Sequence, residues 1–215
     1  MDALLLDLYD TVARTRWGQL SDRIAETLGI EKSALFRAYE HTRAPRAVGT
    51  FGSAAGDMAA VAEAAGADPT PQDLEQLLAM ERAFSEWGVE LYDDSLDVAR
   101  EARRRGVRTA IISNCSHSTR PIVDRLGIAD EFDEILLSFE VGACKPDPRI
   151  YREALRRLDV RPEAAVFVDD QPRYCDGATA VGIETYLIDR DGTLGSEADG
   201  HRVIGDLRSL LTVGA

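Results

Sequence analysis

The sequence predicts an α/β protein: a doubly wound parallel sheet core with an all-helical segment inserted after its first strand. Three observations predict it. Short apolar runs recur at Ala3 to Leu6, Val107 to Ile112, Glu134 to Ser138, Ala164 to Val168 and Ile183 to Ile188, each of strand length. Helical patterns separate the later runs, and strands alternating with helices imply a parallel sheet. The stretch between the first and second runs reads as helix throughout. The core is therefore expected over residues 1–13 and 91–215, and the helical segment over 14–90.

The opening run, Ala3-Leu4-Leu5-Leu6, has the pattern of a strand buried on both faces. It stops at Asp7. In open α/β sheets ligands bind beyond the carboxyl ends of the strands, so an acid placed there faces the crevice. Next, Trp17, Leu20, Ile24 and Leu28 recur at helical spacing and stop at Gly29, a glycine suited to a helix C-terminus. A second helix carries Leu35, Phe36 and Tyr39 and is expected to end before Pro45, because proline restricts the residue before it. A third carries Met58, Val61, Ala62 and Ala65. The fourth starts with Thr70 as N-cap and Pro71 at the first helical position, and runs through Leu74, Leu77, Leu78 and Phe84 to Gly88. Beyond residue 91, a helix from Ser95 to Arg105 precedes the strand that ends in Ser113-Asn114. Another helix reaches Leu126. Lys145-Pro146-Asp147-Pro148 then opens a helix, with Asp147 as N-cap.

Composition excludes several classes of partner. With 215 residues and 45% hydrophobic content, one sizeable core is expected, in a monomer or homodimer. A net charge of -13 argues against nucleic acid or an anionic membrane, which call for clustered Lys and Arg. The one basic run, Arg103-Arg104-Arg105, sits at a helix end and reads as a solvated face favoured by the macrodipole. No signal segment or membrane-length apolar run is read, so a cytoplasmic protein is expected. Three cysteines, an odd number, make no disulfide framework.

The strand ends carry, in order, Asp7, then Ser113-Asn114, then Lys145 before a helix, then Asp169-Asp170. In a parallel sheet these meet at one edge and form a site of carboxylates, a hydroxyl and a lysine. Their order and spacing resemble the haloacid dehalogenase-like (HAD) superfamily over nearly the whole chain. In that family an apolar strand ends in Asp-x-Asp-Gly-Thr, and Asp7-Leu8-Tyr9-Asp10-Thr11 resembles it at the first and last positions. Ser113 matches the second motif, Lys145 the third, and Asp169-Asp170 the acidic fourth. The helical insertion is similar to the family's cap.

The resemblance implies Asp7 as a carboxylate nucleophile, with Ser113, Asn114 and Lys145 holding a small anionic substrate and Lys145 also orienting Asp7. It implies Mg2+ on oxygens of Asp7, Asp170 and the Tyr9 carbonyl, with Asp169 secondary. Tyr9 stands where the family's phosphatases keep an acid. The family's 2-haloacid dehalogenases have Tyr there and an Arg on an early cap helix, a place Arg37 would take, but they lack the acidic pair. Asp10 replaces a glycine, and its position one residue further along is expected to point its carboxyl away. Tyr174 replaces the usual Asp or Asn, and Asp176 reads as a helix-start residue.

Like charges about 4 Å apart at an effective dielectric of ~20 repel by roughly 4 kcal/mol, so a carboxylate approaching a phosphate needs a cation between them. The acidic pair Asp169-Asp170 suits such a cation. The expected function is Mg2+-dependent hydrolysis of a small phosphate monoester. The alternatives are metal-free dehalogenation and a non-catalytic binding protein.

Asp189-Arg190-Asp191-Gly192-Thr193 matches the first motif better by letter than the stretch at Asp7 does, yet 21 residues follow Leu194, too few for the other motifs. It is assigned to a turn. His117 reads as a solvated helix-start residue, and His41 and His201 have no partner at metal spacing. Arg43 and Arg46 on the insertion are candidates for reading an anion. Cys115, Cys144 and Cys175 flank the last three motifs and read first as small residues in loops; the alternative is that Lys145 favours the Cys144 thiolate and makes it the first to oxidise.

Overall fold

The computed structural model describes residues 1–211, so positions 212–215 of the expected core lie outside the described residues. The chain opens with β1 (Ala3–Leu6) and the short β2 (Ala13–Thr15). Four helices follow: α1 (Trp17–Leu28), α2 (Lys32–Ala47), α3 (Ala54–Ala64) and α4 (Pro71–Trp87). After β3 (Val89–Leu91) come α5 (Ser95–Arg104), β4 (Arg108–Ser113), α6 (Thr119–Leu126), β5 (Glu134–Leu137) and α7 (Ser138–Val141). The last part holds α8 (Pro148–Leu158), β6 (Ala165–Asp169), α9 (Pro172–Thr179), β7 (Glu184–Ile188), β8 (Glu197–Ala198) and β9 (His201–Ile204).

The main sheet has the order β5-β4-β1-β6-β7-β9-β8 and is parallel except for the β8–β9 pair at its edge. From β1 the chain builds outward to β4 and β5 on one side and to β6 and β7 on the other. That makes the end of β1 the switch point, where such sheets open a crevice. Alternation along the strands splits the core into two layers. Leu4, Leu6, Ile111, Val166 and Val168 face Val98 of α5 and Val123 of α6. Ala3, Leu5, Ile112 and Phe167 face Ile150, Tyr151, Ala154 and Leu155 of α8, which recur at helical spacing.

Local signals for helix ends hold. Gly29 takes the left-handed conformation at φ 63°. Thr70 and Asp73 form a reciprocal capping box ahead of α4, and the Asp147 side chain accepts from the Arg149 N–H at the start of α8. Three expectations need correction. The 14–90 stretch is not helical to its ends, because β2 and β3 pair as an antiparallel ribbon with Arg14 opposite Glu90. Strands of three residues are too short to show a period. Next, α2 continues through Pro45 to Ala47. The proline sits in the last turn, where it removes a single donor, and Arg46 fastens that turn by donating to the Tyr39 carbonyl and the Thr42 hydroxyl. Finally, β7 is not the last strand, since β9 pairs parallel to it with Tyr186 opposite Arg202. Among the described residues no helix is long and apolar enough to cross a membrane.

Candidate active site

Register sets the site. Leu6 pairs with Ile111 of β4 and Val168 of β6, so Asp7, one residue on, emerges between the ends of both strands, and its N–H donates to the Val168 carbonyl at 2.9 Å. Lys145 reaches it from the loop before α8. Its ammonium donates to Asp7 Oδ1 and, at 2.6 Å, to Asp169 Oδ2. The lysine is 2% exposed and Asp7 7%, so water screens this pairing little. The ammonium also lies 5.4 Å from the Phe167 ring centre and 5.1 Å from that of Tyr174. Burial opposes its charge, but Asp169 and Asp7 outweigh burial and hold Lys145 protonated, above the usual lysine range. Burial pushes the carboxyls of Asp7 and Asp169 upward against the pull of Lys145, and Asp170 adds to the push.

The structure brings Asp7, Lys145, Asp169 and Asp170 together, as the strand-end pattern anticipates. Oxygens of Asp7, Asp169 and Asp170 lie within 4.8 Å of one another. Asp169 is engaged on both sides, by Lys145 and by the Gln171 N–H at 2.8 Å, so it serves as the ion-pair partner of the lysine rather than as a free ligand. Asp170 accepts from the Gln171 amide at 2.6 Å through one oxygen; the other accepts no hydrogen bond among the described residues. Ser113 ends β4 with a buried hydroxyl that has no partner among the described residues.

Asn114 braces the lysine from the cleft wall. Its Oδ1 accepts from the Lys145 N–H at 2.7 Å and its Nδ2 donates to the Lys145 carbonyl at 2.8 Å, which leaves one amide N–H in a side chain that lines the cleft. Arg37 is misplaced. On α2 the inner face carries Leu35, Ala38 and Thr42, and position 37 falls on the outer side, where Arg37 is exposed. The arginines that do line the cleft are Arg43 and Arg46. Cys144 also differs: Lys145 turns to the two acids instead, and burial together with Asp147 pushes the Cys144 thiol up. The buried thiol of Cys115 is pushed up to about 11 and that of Cys175 to about 12, burial being the main cause in both.

Asp10 does not point away. Its backbone is left-handed at φ 59°, a conformation glycine adopts freely and Asp tolerates, and this turns the side chain into the lining of the same cleft as Asp7. Burial, then Asp170 and Asp7, push its carboxyl up to about 6. The Tyr9 hydroxyl meets Thr119 Oγ1 at 3.2 Å, and burial raises its phenol well above the usual range. The Tyr9 carbonyl accepts no hydrogen bond among the described residues.

The cleft holds about 530 Å3 between this sheet edge and the helical insertion. Its insertion side includes Trp17, Leu20, Tyr39, Glu81 and Phe84. Glu81 is a functional candidate that motif reading missed. One signal was available: it stands four residues after Leu77 and three before Phe84, an acid on the apolar face of α4. Burial pushes its carboxyl up to about 7. His117, expected to be solvated, instead bridges the insertion and the sheet, its Nδ1 lying 2.8 Å from Asp57 of α3.

Comparison with known proteins agrees with this architecture. The family model described as haloacid dehalogenase-like hydrolase matches residues 1–182. A phosphatase of Mycobacterium tuberculosis is 36% identical over 121 residues, 55% of this chain and 54% of that protein. The matches span between 35% and 60% of the length of the first four curated relatives. In fold, the chain is similar to a HAD phosphatase from Thermococcus onnurineus, with a TM-score of 0.75, 23% identity and coverage of 99% of this chain and 97% of that one. It is also similar to a 2-haloacid dehalogenase from Pseudomonas syringae, with a TM-score of 0.71, 24% identity and coverage of 98% and 97%. An aspartate at the switch point of a parallel sheet, a buried lysine against it, acids after the next strand and a family model spanning most of the length lead to one assignment: the chain belongs to the haloacid dehalogenase-like hydrolases.

Proposed function

We propose that the protein hydrolyses small phosphate monoesters with Asp7 as nucleophile and Mg2+ as cofactor, in a cleft closed on one side by the helical insertion at 14–90 acting as a cap. The observation that carries this reading is a charge imbalance. Three carboxylates, Asp7, Asp169 and Asp170, crowd within 4.8 Å while one ammonium, Lys145, serves them. The donors fit a hard cation, because the Asp170 oxygen that Gln171 leaves free and the Tyr9 carbonyl are hydrogen-bond-free acceptors of the kind Mg2+ takes, and Asp7 adds the carboxylate oxygen it turns to Lys145. Bound there, Mg2+ would supply the positive charge that lets a phosphate approach these acids.

The chain's own residues do the rest. Lys145 holds Oδ1 of Asp7 and leaves the second oxygen for attack on phosphorus. An Asp7 O–P bond forms, the ester P–O bond breaks, and the alcohol oxygen leaves with the bonding pair. Water then attacks phosphorus, the Asp7 O–P bond breaks, the Asp7 carboxylate is regenerated and phosphate is released, and a proton of that water ends on the alcohol oxygen released in the first step. Ser113 contributes a hydroxyl whose unmade hydrogen bond costs about 1–3 kcal/mol, which a phosphate oxygen as acceptor would offset. Tyr9 is a poor proton donor to the leaving oxygen, since its phenol is raised and committed to Thr119. Esters of acidic alcohols, such as phenols, are therefore the preferred substrates.

Tyr9 also favours a second reading, hydrolysis of a carbon–halogen bond, because the dehalogenases of this family carry Tyr at that place. A substrate panel separates the two. Release of phosphate from aryl phosphates that needs Mg2+ and stops with chelator is expected. Halide release from 2-chloropropionate, unaffected by chelator and unaccompanied by phosphatase activity, would replace the first reading with the second.

A further inference from the structure

The insertion side of the cleft, and Asp57 behind it, carry polar groups that the proposed chemistry at Asp7 does not use. Glu81 of α4 accepts from the Ser118 hydroxyl at 2.7 Å through Oε2, and its Oε1 has no hydrogen-bond partner among the described residues. Tyr39 of α2 also lines the cleft; its hydroxyl is buried with no partner among the described residues. Asp57 adds a buried Oδ1 that is likewise unpaired. An orphaned buried oxygen is costly, and the two of Tyr39 and Asp57, together with the unpaired Oε1 of half-buried Glu81, point to a hydrogen-bond donor arriving from elsewhere.

The available cations do not fill that role. Arg46 stacks on the Tyr39 ring at 4.7 Å and gives Nε and Nη2 to Thr42 and the Tyr39 carbonyl, while Arg43 pairs with Glu40. His117 serves the other oxygen of Asp57. The same lining carries carbon surface, with Trp17, Leu20, Phe84 and Ile122. A ligand filling the cleft thus meets the carboxylate nucleophile, carbon surface and oxygens short of donors.

We propose that Glu81 and Tyr39 form a specificity subsite for a protonated amine, so that the substrate is a phosphate ester whose alcohol part is an apolar, preferably aromatic, spacer ending in an alkylammonium. This deepens the phosphatase reading and rests on it. The ammonium donates to Glu81 Oε1 and to the Tyr39 hydroxyl oxygen, and the spacer packs against Trp17 and Phe84. Charge-assisted bonds of this kind, shielded from water, discriminate strongly against an analogue that lacks the donor.

The test compares 4-(2-aminoethyl)phenyl phosphate with 4-ethylphenyl phosphate and 4-(2-carboxyethyl)phenyl phosphate, which differ only at the distal group. The ammonium ester is expected to exceed the ethyl ester in kcat/KM by about tenfold or more, and Glu81→Gln and, separately, Tyr39→Phe to shrink that ratio toward one. Preference for the carboxylate ester, or a ratio unchanged in both variants, overturns the subsite. Calorimetry with Asp7→Asn reads the same preference without turnover. Tighter binding of the ammonium ester by a protein that hydrolyses none of the three would leave the subsite standing and count against the phosphatase reading alone; hydrolysis of all three with equal binding would do the reverse.

Discussion

Two stretches of this chain spell nearly the same motif. Asp7-Leu8-Tyr9-Asp10-Thr11 follows β1 and Asp189-Arg190-Asp191-Gly192-Thr193 follows β7, and by letter the second is the better match. Their surroundings differ. Asp7 leaves a strand flanked by β4 and β6, is buried, and pairs with Lys145 through Oδ1. Asp189 leaves β7, between β6 and β9, and its carboxylate is taken up by its own turn, accepting from the N–H groups of Asp191 at 3.2 Å, Gly192 at 3.1 Å and Leu194 at 2.5 Å. Those bonds hold its carboxyl below the usual range. A motif thus acquires chemistry from where the sheet puts it, at the switch point with a lysine opposite, and otherwise the same letters fold a loop. Arg190 shows what that loop does: its guanidinium grips Asp94 and the Thr11 carbonyl, fastening both chain crossings into the helical insertion.

The sharpest way to break the contrast is a matched pair of substitutions. Asp7→Asn is expected to lower kcat by at least about 10^3-fold with the fold intact, and Asp189→Asn to leave turnover within about twofold. Comparable losses from both, read in the same phosphate-release assay, would erase the distinction. Asp170→Asn sharpens it from the metal side. The free oxygen of Asp170 is gone as a carboxylate ligand, so Mg2+ affinity measured by calorimetry should fall at least about tenfold, with phosphatase activity falling alongside. Undiminished affinity would place the ion elsewhere.

A third acid, Glu81, extends the comparison to stability. Its carboxyl is raised to about 7 in the folded protein, so the folded state favours the neutral form. Relative to Glu81→Gln, the stability of the natural chain is complete below the unfolded pKa near 4.3, declines as pH rises toward 7, and is flat above it. In urea unfolding the two proteins should match at pH 4 and differ by about 1–3 kcal/mol at pH 8, the variant being the more stable. A gap independent of pH would remove burial as the cause. The smallest effect belongs to the loop: Asp189→Ala loses the turn's hydrogen bonds and should lower the melting temperature slightly without changing KM.

The sheet core was legible in the sequence because its signals are local and repeated. Apolar runs of strand length, Gly29, the Thr70 capping box and Asp147 each specify their own neighbourhood, and the structure places them as the pattern implies. The strand-end acids and Lys145 were legible for the same reason, since a parallel sheet aligns its carboxyl ends whatever lies between them. Side-chain direction was not. Asp10 turns into the cleft only because its φ is positive, Arg37 turns out because α2 rotates it away, and Asn114 braces the Lys145 backbone 31 residues later. Pairings across the chain, such as β2 with β3 or β7 with β9, left no trace in the sequence because β2, β3 and β9 are only three or four residues long. The insertion's contribution to the cleft was hidden most deeply. Glu81 and Tyr39 belong to no motif and become neighbours of the site only when α2 and α4 pack over it.

The proposed hydrolysis rests on one covalent event at Asp7, and acid-quenched mass spectrometry tests it most directly. The protein is mixed with an aryl phosphate and Mg2+, quenched in acid within a turnover and digested with trypsin, which separates peptide 1–14 carrying Asp7 from peptide 174–190 carrying Asp189. A phosphoryl group on Asp7 that forms only with Mg2+ and is absent from Asp7→Asn is the predicted result. Phosphate release with peptide 1–14 unmodified, or the phosphoryl group on Asp189, would contradict it.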